Sequence, residues 1–242
     1  KQLLPAMLDF LTEKGVLEDS FFHISDEPRL DHLETYRALW RFVKPMLRGR
    51  PIMDAISNVD FYKHGLIDIP VSATDHIEPF LREPGENQWA YYCCGEYKAV
   101  GNRFLAFPEY RNRILGVQLF KFGIKGFLQW GYNFYHTDRS LYVIDPYLTS
   151  SSDGMVPSGD PFSVYPGKNG PVASLRALNF KDALQDADIL KALAQRTSHE
   201  HVVELIEKLV GMEIRFDKYP RNYEFLPALM DAVRQELEAG TR

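Results

Sequence analysis

Phe21-Phe22-His23-Ile24-Ser25-Asp26-Glu27-Pro28, read together with Pro51-Ile52-Met53-Asp54-Ala55-Ile56, decides the fold class of this chain. Phe21 to Ser25 is a short aromatic and β-branched run that reads as a buried strand. Pro28 has no N–H to give to a central ladder, so the strand stops before it and the two carboxylates lie at its C-terminal end or just beyond. Asp31 can cap a helix reaching about Leu47, with Leu33, Tyr36, Leu39, Trp40 and Val43 on one face and Gly49 as its stop. Residues 51–56 then read as the next strand. Nearly continuous apolar strands alternating with helices argue for a parallel sheet covered by helices.

The same unit recurs downstream. A short helix over Val59 to Gly65 leads to a strand over Ile69 to Asp75, and a helix over Ile77 to Arg82 leads to a strand over Gln88 to Cys94. A helix from about Glu109 to Phe122 then leads to a strand over Gly126 to Asn133, making five strands of the β/α kind. No Gly-rich phosphate loop follows any of them, which disfavours a dinucleotide-binding fold. Upstream, Gln2 to Lys14 reads as an amphipathic helix ending at Gly15. From His136 to Gly170 the composition shifts to Asp, Ser, Pro and Gly, with Leu141–Ile144 and Phe162–Tyr165 as short strand pieces in a long loop or hairpin region. Three helices follow, over Ser174–Arg196, His199–Val210 and Tyr223–Glu238, with Ser174 and Ser198 as N-caps of the first two.

With 242 residues, 45% hydrophobic and 25% charged, the chain is of ordinary globular composition, and its length fits one large α/β domain or two smaller ones. It opens on Lys1-Gln2-Leu3-Leu4-Pro5 with no initiator Met and already in a helical pattern, from which a piece of a longer protein is expected. A net charge of -5, 28 basic against 33 acidic residues, gives no electrostatic reason to expect nucleic acid. No window approaches the roughly 20 apolar residues of a membrane span. Cys93 and Cys94 are the only cysteines, so no disulfide framework or usual zinc spacing exists; they read as thiols on opposite faces of a strand. So few cysteines suit a cytoplasmic protein and a secreted bacterial one equally, and the compartment stays open. Aromatic residues reach 13% and concentrate between Trp89 and Tyr165, which suits either a large core or the stacking of flat ligands and sugar faces.

Asp26-Glu27 is the sharpest chemical feature. Ligands of parallel α/β sheets bind beyond the C-terminal ends of the strands, where these two acids fall. Adjacent strand residues point to opposite faces, so both carboxylates reach one ligand only if the pairing ends or bulges at Asp26. The plainer alternative is a charge pair at a helix N-terminus. Asp54, Asp75, Tyr92, Trp130, Tyr132 and Asn133 fall near other strand ends, and acids with aromatic rings around one rim fit carbohydrate recognition. His23 reads as an interior histidine, while His199 and His201 read as solvated, so no metal constellation is expected. No Gly-x-Ser-x-Gly elbow occurs.

The segment from Phe22 to Pro28, the run Tyr91-Tyr92-Cys93-Cys94-Gly95 with Gly101-Asn102-Arg103-Phe104, the strand Gly126 to Asn133, and Tyr165-Pro166-Gly167 through Ser174-Leu175-Arg176 together resemble glycoside hydrolase family 123. The ordered set covers residues from about 20 to 190. The resemblance implies a TIM (β/α)8 barrel, of which about five strands, the fourth to the eighth, lie in residues 1–170, with residues 171–242 as C-terminal helices packing on it. It implies a β-N-acetylgalactosaminidase that needs no metal or organic cofactor and acts on an oligosaccharide or glycoconjugate by retaining, substrate-assisted hydrolysis. By the same resemblance Asp26 orients the substrate's 2-acetamido group and Glu27 is the general acid/base. Tyr92, Trp130, Tyr132, Asn133, Asp75 and Arg176 are then the candidate substrate-binding residues. A glycosidase acting on a sugar without the acetamido group, and an inert carbohydrate-binding barrel, are the alternatives.

Overall fold

A computed structural model describes residues 2–83, 85 and 87–239. Its contacts divide the chain into two compact units, Lys1–Tyr91 with Lys125–Leu128, and Tyr92–Ile124 with Gln129–Arg242.

The first unit is α/β. After helix α1 (Leu3–Glu13) and helix α2 (Leu33–Val43), strands β1 (Met53–Ile56), β2 (Ile69–Ala73) and β3 (Trp89–Tyr91) alternate with the short helices α3 (Asp60–Lys63) and α4 (Glu78–Leu81). A further strand, β4 (Gly126–Leu128), completes a four-stranded sheet in the order β1-β2-β3-β4, every pair parallel. All four residues of β1 are buried, as expected of a strand covered on both faces. Pro70 is tolerated in β2 because it pairs there with Asp54 of β1, one residue before the β3 ladder begins at Val71. Tyr36, Ile56, Phe61, Leu66, Ile67 and Phe80 form one buried cluster behind this sheet. Phe61 and Phe80 are fully buried, each contributing about 1.5–3 kcal/mol of hydrophobic stabilisation.

Several expected elements are shorter than their patterns suggest. The strand expected over Phe21–Ser25 is a single parallel bridge, Phe22 to Ile52. The strands expected to reach Cys94 and Asn133 stop at Tyr91 and Leu128. Beyond Tyr91, side chains take over the backbone: the Glu96 carboxylate accepts the Cys93 N–H at 2.6 Å, and Asn102 Nδ2 donates to the Cys93 carbonyl at 2.8 Å. Cys93 and Cys94 therefore sit in a turn and not on two faces of a strand. The neighbouring Cys94 thiol, and then burial, push the Cys93 thiol up. Asp31 is not a cap either; it lies inside the 3-10 turn Leu30–His32, and its carboxylate is held by the Arg29 guanidinium at 2.9 and 3.1 Å.

The second unit is mostly helical. Helices α5 (Tyr110–Arg113) and α6 (Leu115–Lys121) pack with α7 (Leu175–Arg196), α8 (His199–Val210) and α9 (Phe225–Ala239) around Ile114, Val117, Phe120, Leu190, Leu193, Val202, Ile206, Leu229 and Val233. The Ser174 and Ser198 hydroxyls accept the N–H groups of Ala177 and His201 at 3.2 and 3.1 Å, as their sequence positions foretell. Gly116 lets α6 approach α7 closely, since a Cβ there would lie 1.9 Å from the Ala183 carbonyl oxygen. In the Asp/Ser/Pro/Gly-rich region, strands β5 (Val164–Gly167) and β6 (Gly170–Ala173) form an antiparallel hairpin. β6 escapes the hydrophobic pattern because all four of its residues are exposed.

Candidate functional site

In the first unit Asp26 and Glu27 are exposed, beside the C-terminal half of β1. The chain follows β1 without forming a regular ladder: Phe22 N–H donates to the Pro51 carbonyl at 2.9 Å, and Glu27 N–H donates to the Ala55 carbonyl at 3.1 Å. Glu27 has a φ of +43°, the left-handed region that a residue with a Cβ enters only where its surroundings impose it. Its side chain is held as well. The phenol of Tyr91, buried at the end of β3, donates to Glu27 Oε1 at 2.5 Å. A carboxyl group restrained on one oxygen and exposed past the end of a strand has the chemistry to exchange a proton with a molecule placed against it. Asp75 is exposed after β2, with its Oδ1 2.6 Å from His76 Nδ1.

The family-like run Tyr91-Tyr92 points to Tyr92 as the substrate-binding candidate, yet it is Tyr91 that meets Glu27. Successive strand residues face opposite ways, and Tyr92 begins the second unit with its side chain 1% exposed and its phenol donating to Asn112 Oδ1 at 3.0 Å. It lines no open surface. His23 is also placed differently from the expected interior position: its side chain is 53% exposed, with Nδ1 against the buried Asp54 carboxylate. His199 and His201 are engaged, with Nε2 atoms 3.2 Å from the Phe120 carbonyl and 2.7 Å from Glu236 Oε2. Among the described residues no group of three or more His, Cys, Asp or Glu side chains could hold a metal ion, and no helix is long and apolar enough to cross a membrane.

In the second unit Trp130 and Tyr132 are exposed, as is Asn133, which forms an antiparallel bridge with Phe162. The Trp130 indole N–H donates to Asp160 Oδ2 at 3.1 Å, and the Arg103 guanidinium donates to the Gly131 carbonyl at 2.8 Å. Gly131 is required there because a Cβ would lie 2.7 Å from the Pro161 carbonyl oxygen. Arg176 turns its Nη1 onto the carbonyls of Gly159 and Phe162, so it braces the same loop. Neither Asp160 nor the role of Arg103 is signalled by local pattern, since both depend on a contact 57 residues apart in sequence.

Asp160 and Arg103 are both buried, with 3.9 Å between their charged atoms. At that separation desolvation outweighs attraction: burial pushes the Asp160 carboxyl up to about 6 and lowers the Arg103 guanidinium to about 10. The folded Asp160 keeps its proton to about pH 6, whereas an unfolded aspartate releases it near 3.8. The folded state therefore binds more protons in between, and this contribution to stability is lost as pH rises through that window. Asp160→Asn cannot ionise. Its stability relative to the wild type is expected to improve by about 2–3 kcal/mol between pH 4 and pH 7, as read by urea unfolding at each pH. A difference that stays constant with pH would contradict the buried-carboxyl account.

A family model described as glycoside hydrolase 123, catalytic domain, matches residues 1–193. No curated protein matches the sequence. Among solved structures, a family 123 glycoside hydrolase from Clostridium perfringens, studied for glycolipid glycan hydrolysis, superposes with a TM-score of 0.64 at 18% identity. The superposition covers 99% of this chain and 43% of the clostridial one. At that identity the likeness is one of fold, and the chain spans less than half the length of that relative.

Proposed function

This chain belongs to glycoside hydrolase family 123, and from that premise we propose that it forms part of a glycosidase cleaving terminal β-linked N-acetylhexosamine, with N-acetylgalactosamine preferred. In this reading the parallel sheet is an arc of a (β/α)8 barrel within residues 1–170, and residues 171–242 supply the C-terminal helices. The observation that carries the proposal is the exposed Asp26–Glu27 pair with the Tyr91 phenol 2.5 Å from Glu27 Oε1. Glu27 is the general acid/base and Asp26 the partner of the acetamido group.

The acetamido carbonyl oxygen attacks the anomeric carbon as the bond to the leaving oxygen breaks, and that oxygen takes the proton of Glu27. Asp26 accepts the acetamido N–H and offsets the positive charge developing on the oxazolinium ring. Water then attacks the anomeric carbon, Glu27 takes its proton, and the ring reopens to the acetamide. Two inversions give net retention. Asp75, Trp130, Tyr132 and Asn133 are assigned to sugar contacts, where rings meet C–H faces and polar groups meet hydroxyls.

The test compares an aryl β-N-acetylgalactosaminide with the matching aryl β-galactoside, using the protein that carries this chain. Hydrolysis confined to the acetamido sugar, with the β-anomer appearing first by NMR, supports the proposal. Equal turnover of both, an α-anomer as first product, or binding without any product overturns it.

A further inference from the structure

The irregular segment that delivers Asp26 and Glu27 is built around a side chain outside that pair. A regular parallel ladder continuing from the Phe22 to Ile52 bridge would have residues 22, 24 and 26 donate to the carbonyls of residues 51, 53 and 55. The first of these bonds forms, from Phe22 to Pro51. The last is displaced by one, because Glu27 and not Asp26 donates to Ala55. Six residues, from 22 to 27, thus run beside five, from 51 to 55: the segment carries a one-residue bulge.

The middle bond shows what absorbs the extra residue. Ile24 N–H leaves the Met53 carbonyl and donates to Asp54 Oδ1 at 3.0 Å, and Ser25 N–H also bonds to this carboxylate. The vacated Met53 carbonyl lies 3.3 Å from His23 Nδ1. The second oxygen, Oδ2, accepts the phenol of the buried Tyr36, so the carboxylate is fixed from the α2 side as well. Asp54 is fully buried within β1, and burial pushes its carboxyl up against the hydrogen bonds it accepts. An aspartate in a fully buried strand position, where an apolar side chain would cost nothing in desolvation, needs such a reason.

We propose that Asp54 is a positioning residue: its carboxylate replaces a ladder carbonyl, sustains the bulge between Phe22 and Glu27, and so sets where the Asp26 and Glu27 side chains stand. The bulge breaks strand alternation between Phe22 and Glu27, the condition under which two adjacent acids can address one ligand. It ends at the residue with positive φ. The catalytic part of this inference rests on the glycosidase reading; the part about the bulge does not.

The experiment uses Asp54→Ala and Asp54→Asn in the protein that carries this chain, with two readouts on each. One is kcat and KM on an aryl β-N-acetylgalactosaminide; the other is amide hydrogen exchange at Ile24, Ser25 and Glu27. In Asp54→Ala the three amides are expected to lose protection while those of β2 keep theirs. There kcat is expected to fall about 10²-fold with KM within about twofold, the signature of reacting groups displaced from their places. Asp54→Asn keeps an acceptor oxygen for these N–H groups, so it should retain both protection and most of kcat. Should Asp54→Ala not fold, the asparagine variant decides. In Asp54→Asn, protection and kcat both kept supports the proposal, and in Asp54→Ala both lost supports it, whereas in either variant one lost without the other overturns it. An Asp54→Ala protein with both unchanged overturns it too. Absence of hydrolysis by the wild type would sink the glycosidase reading alone, and the exchange readout would still decide the bulge.

Discussion

In Glu27→Gln, kcat on an alkyl β-N-acetylgalactosaminide is expected to fall by about 10²–10⁴-fold, the range supplied by a positioned general acid. Glutamine keeps the shape of the side chain and an oxygen for the Tyr91 phenol, so the hydrogen bond now seen at 2.5 Å has a counterpart in the variant and the site stays in place. What it lacks is a transferable proton. An alkoxide leaves poorly without one, whereas a dinitrophenolate leaves unaided, so the loss should shrink on a 2,4-dinitrophenyl glycoside of the same sugar. Steady-state kinetics on the two substrates checks both halves. Wild-type turnover of the alkyl glycoside by Glu27→Gln would remove Glu27 from the mechanism, and an equal loss of kcat/KM on both substrates, which reads the bond-breaking step alone, would remove the acid role.

Asp26→Asn is expected to lower kcat on the acetamido substrate by about 10²–10³-fold, the scale of removing one group aimed at developing charge. Asparagine can still accept an N–H through its carbonyl, so ground-state binding and KM should change little. The negative charge that offsets the oxazolinium is gone, and that charge matters only as the ring forms. The variant should therefore lose turnover of the 2-acetamido sugar more than its affinity for it. Steady-state kcat and KM on that glycoside in wild type and variant read this directly. A kcat left at the wild-type level, or a loss carried by KM alone, would mean that Asp26 serves another purpose.

Much of the architecture was legible because its causes are local. Alternating apolar strands and amphipathic helices marked a parallel sheet, and β1, β2, β3 and β4 pair in that manner in sequence order. Ser174 and Ser198 act on N–H groups three residues away, so their capping could be read directly from their positions. Strand ends were less legible. Cys93 to Gly95 has strand-like neighbours, yet Glu96 and Asn102 bind its backbone and turn it. A hydrophobicity pattern cannot register a side chain that substitutes for a ladder partner.

The candidate site divides along the same line. That an Asp–Glu pair follows a strand-like run and precedes Pro28 was determined by the sequence alone, because proline's missing N–H and the two-residue strand period are properties of the chain itself. Only the tertiary structure decided that Tyr91 rather than Tyr92 meets Glu27, that Asp54 takes the N–H of Ile24 from 30 residues away, and that Asp160 lies buried beside Arg103. Each of these is a buried polar group finding a partner. Every such group must be satisfied or suffer desolvation, but which distant residue satisfies it is set by how the elements pack, and packing is not written in any local stretch of sequence.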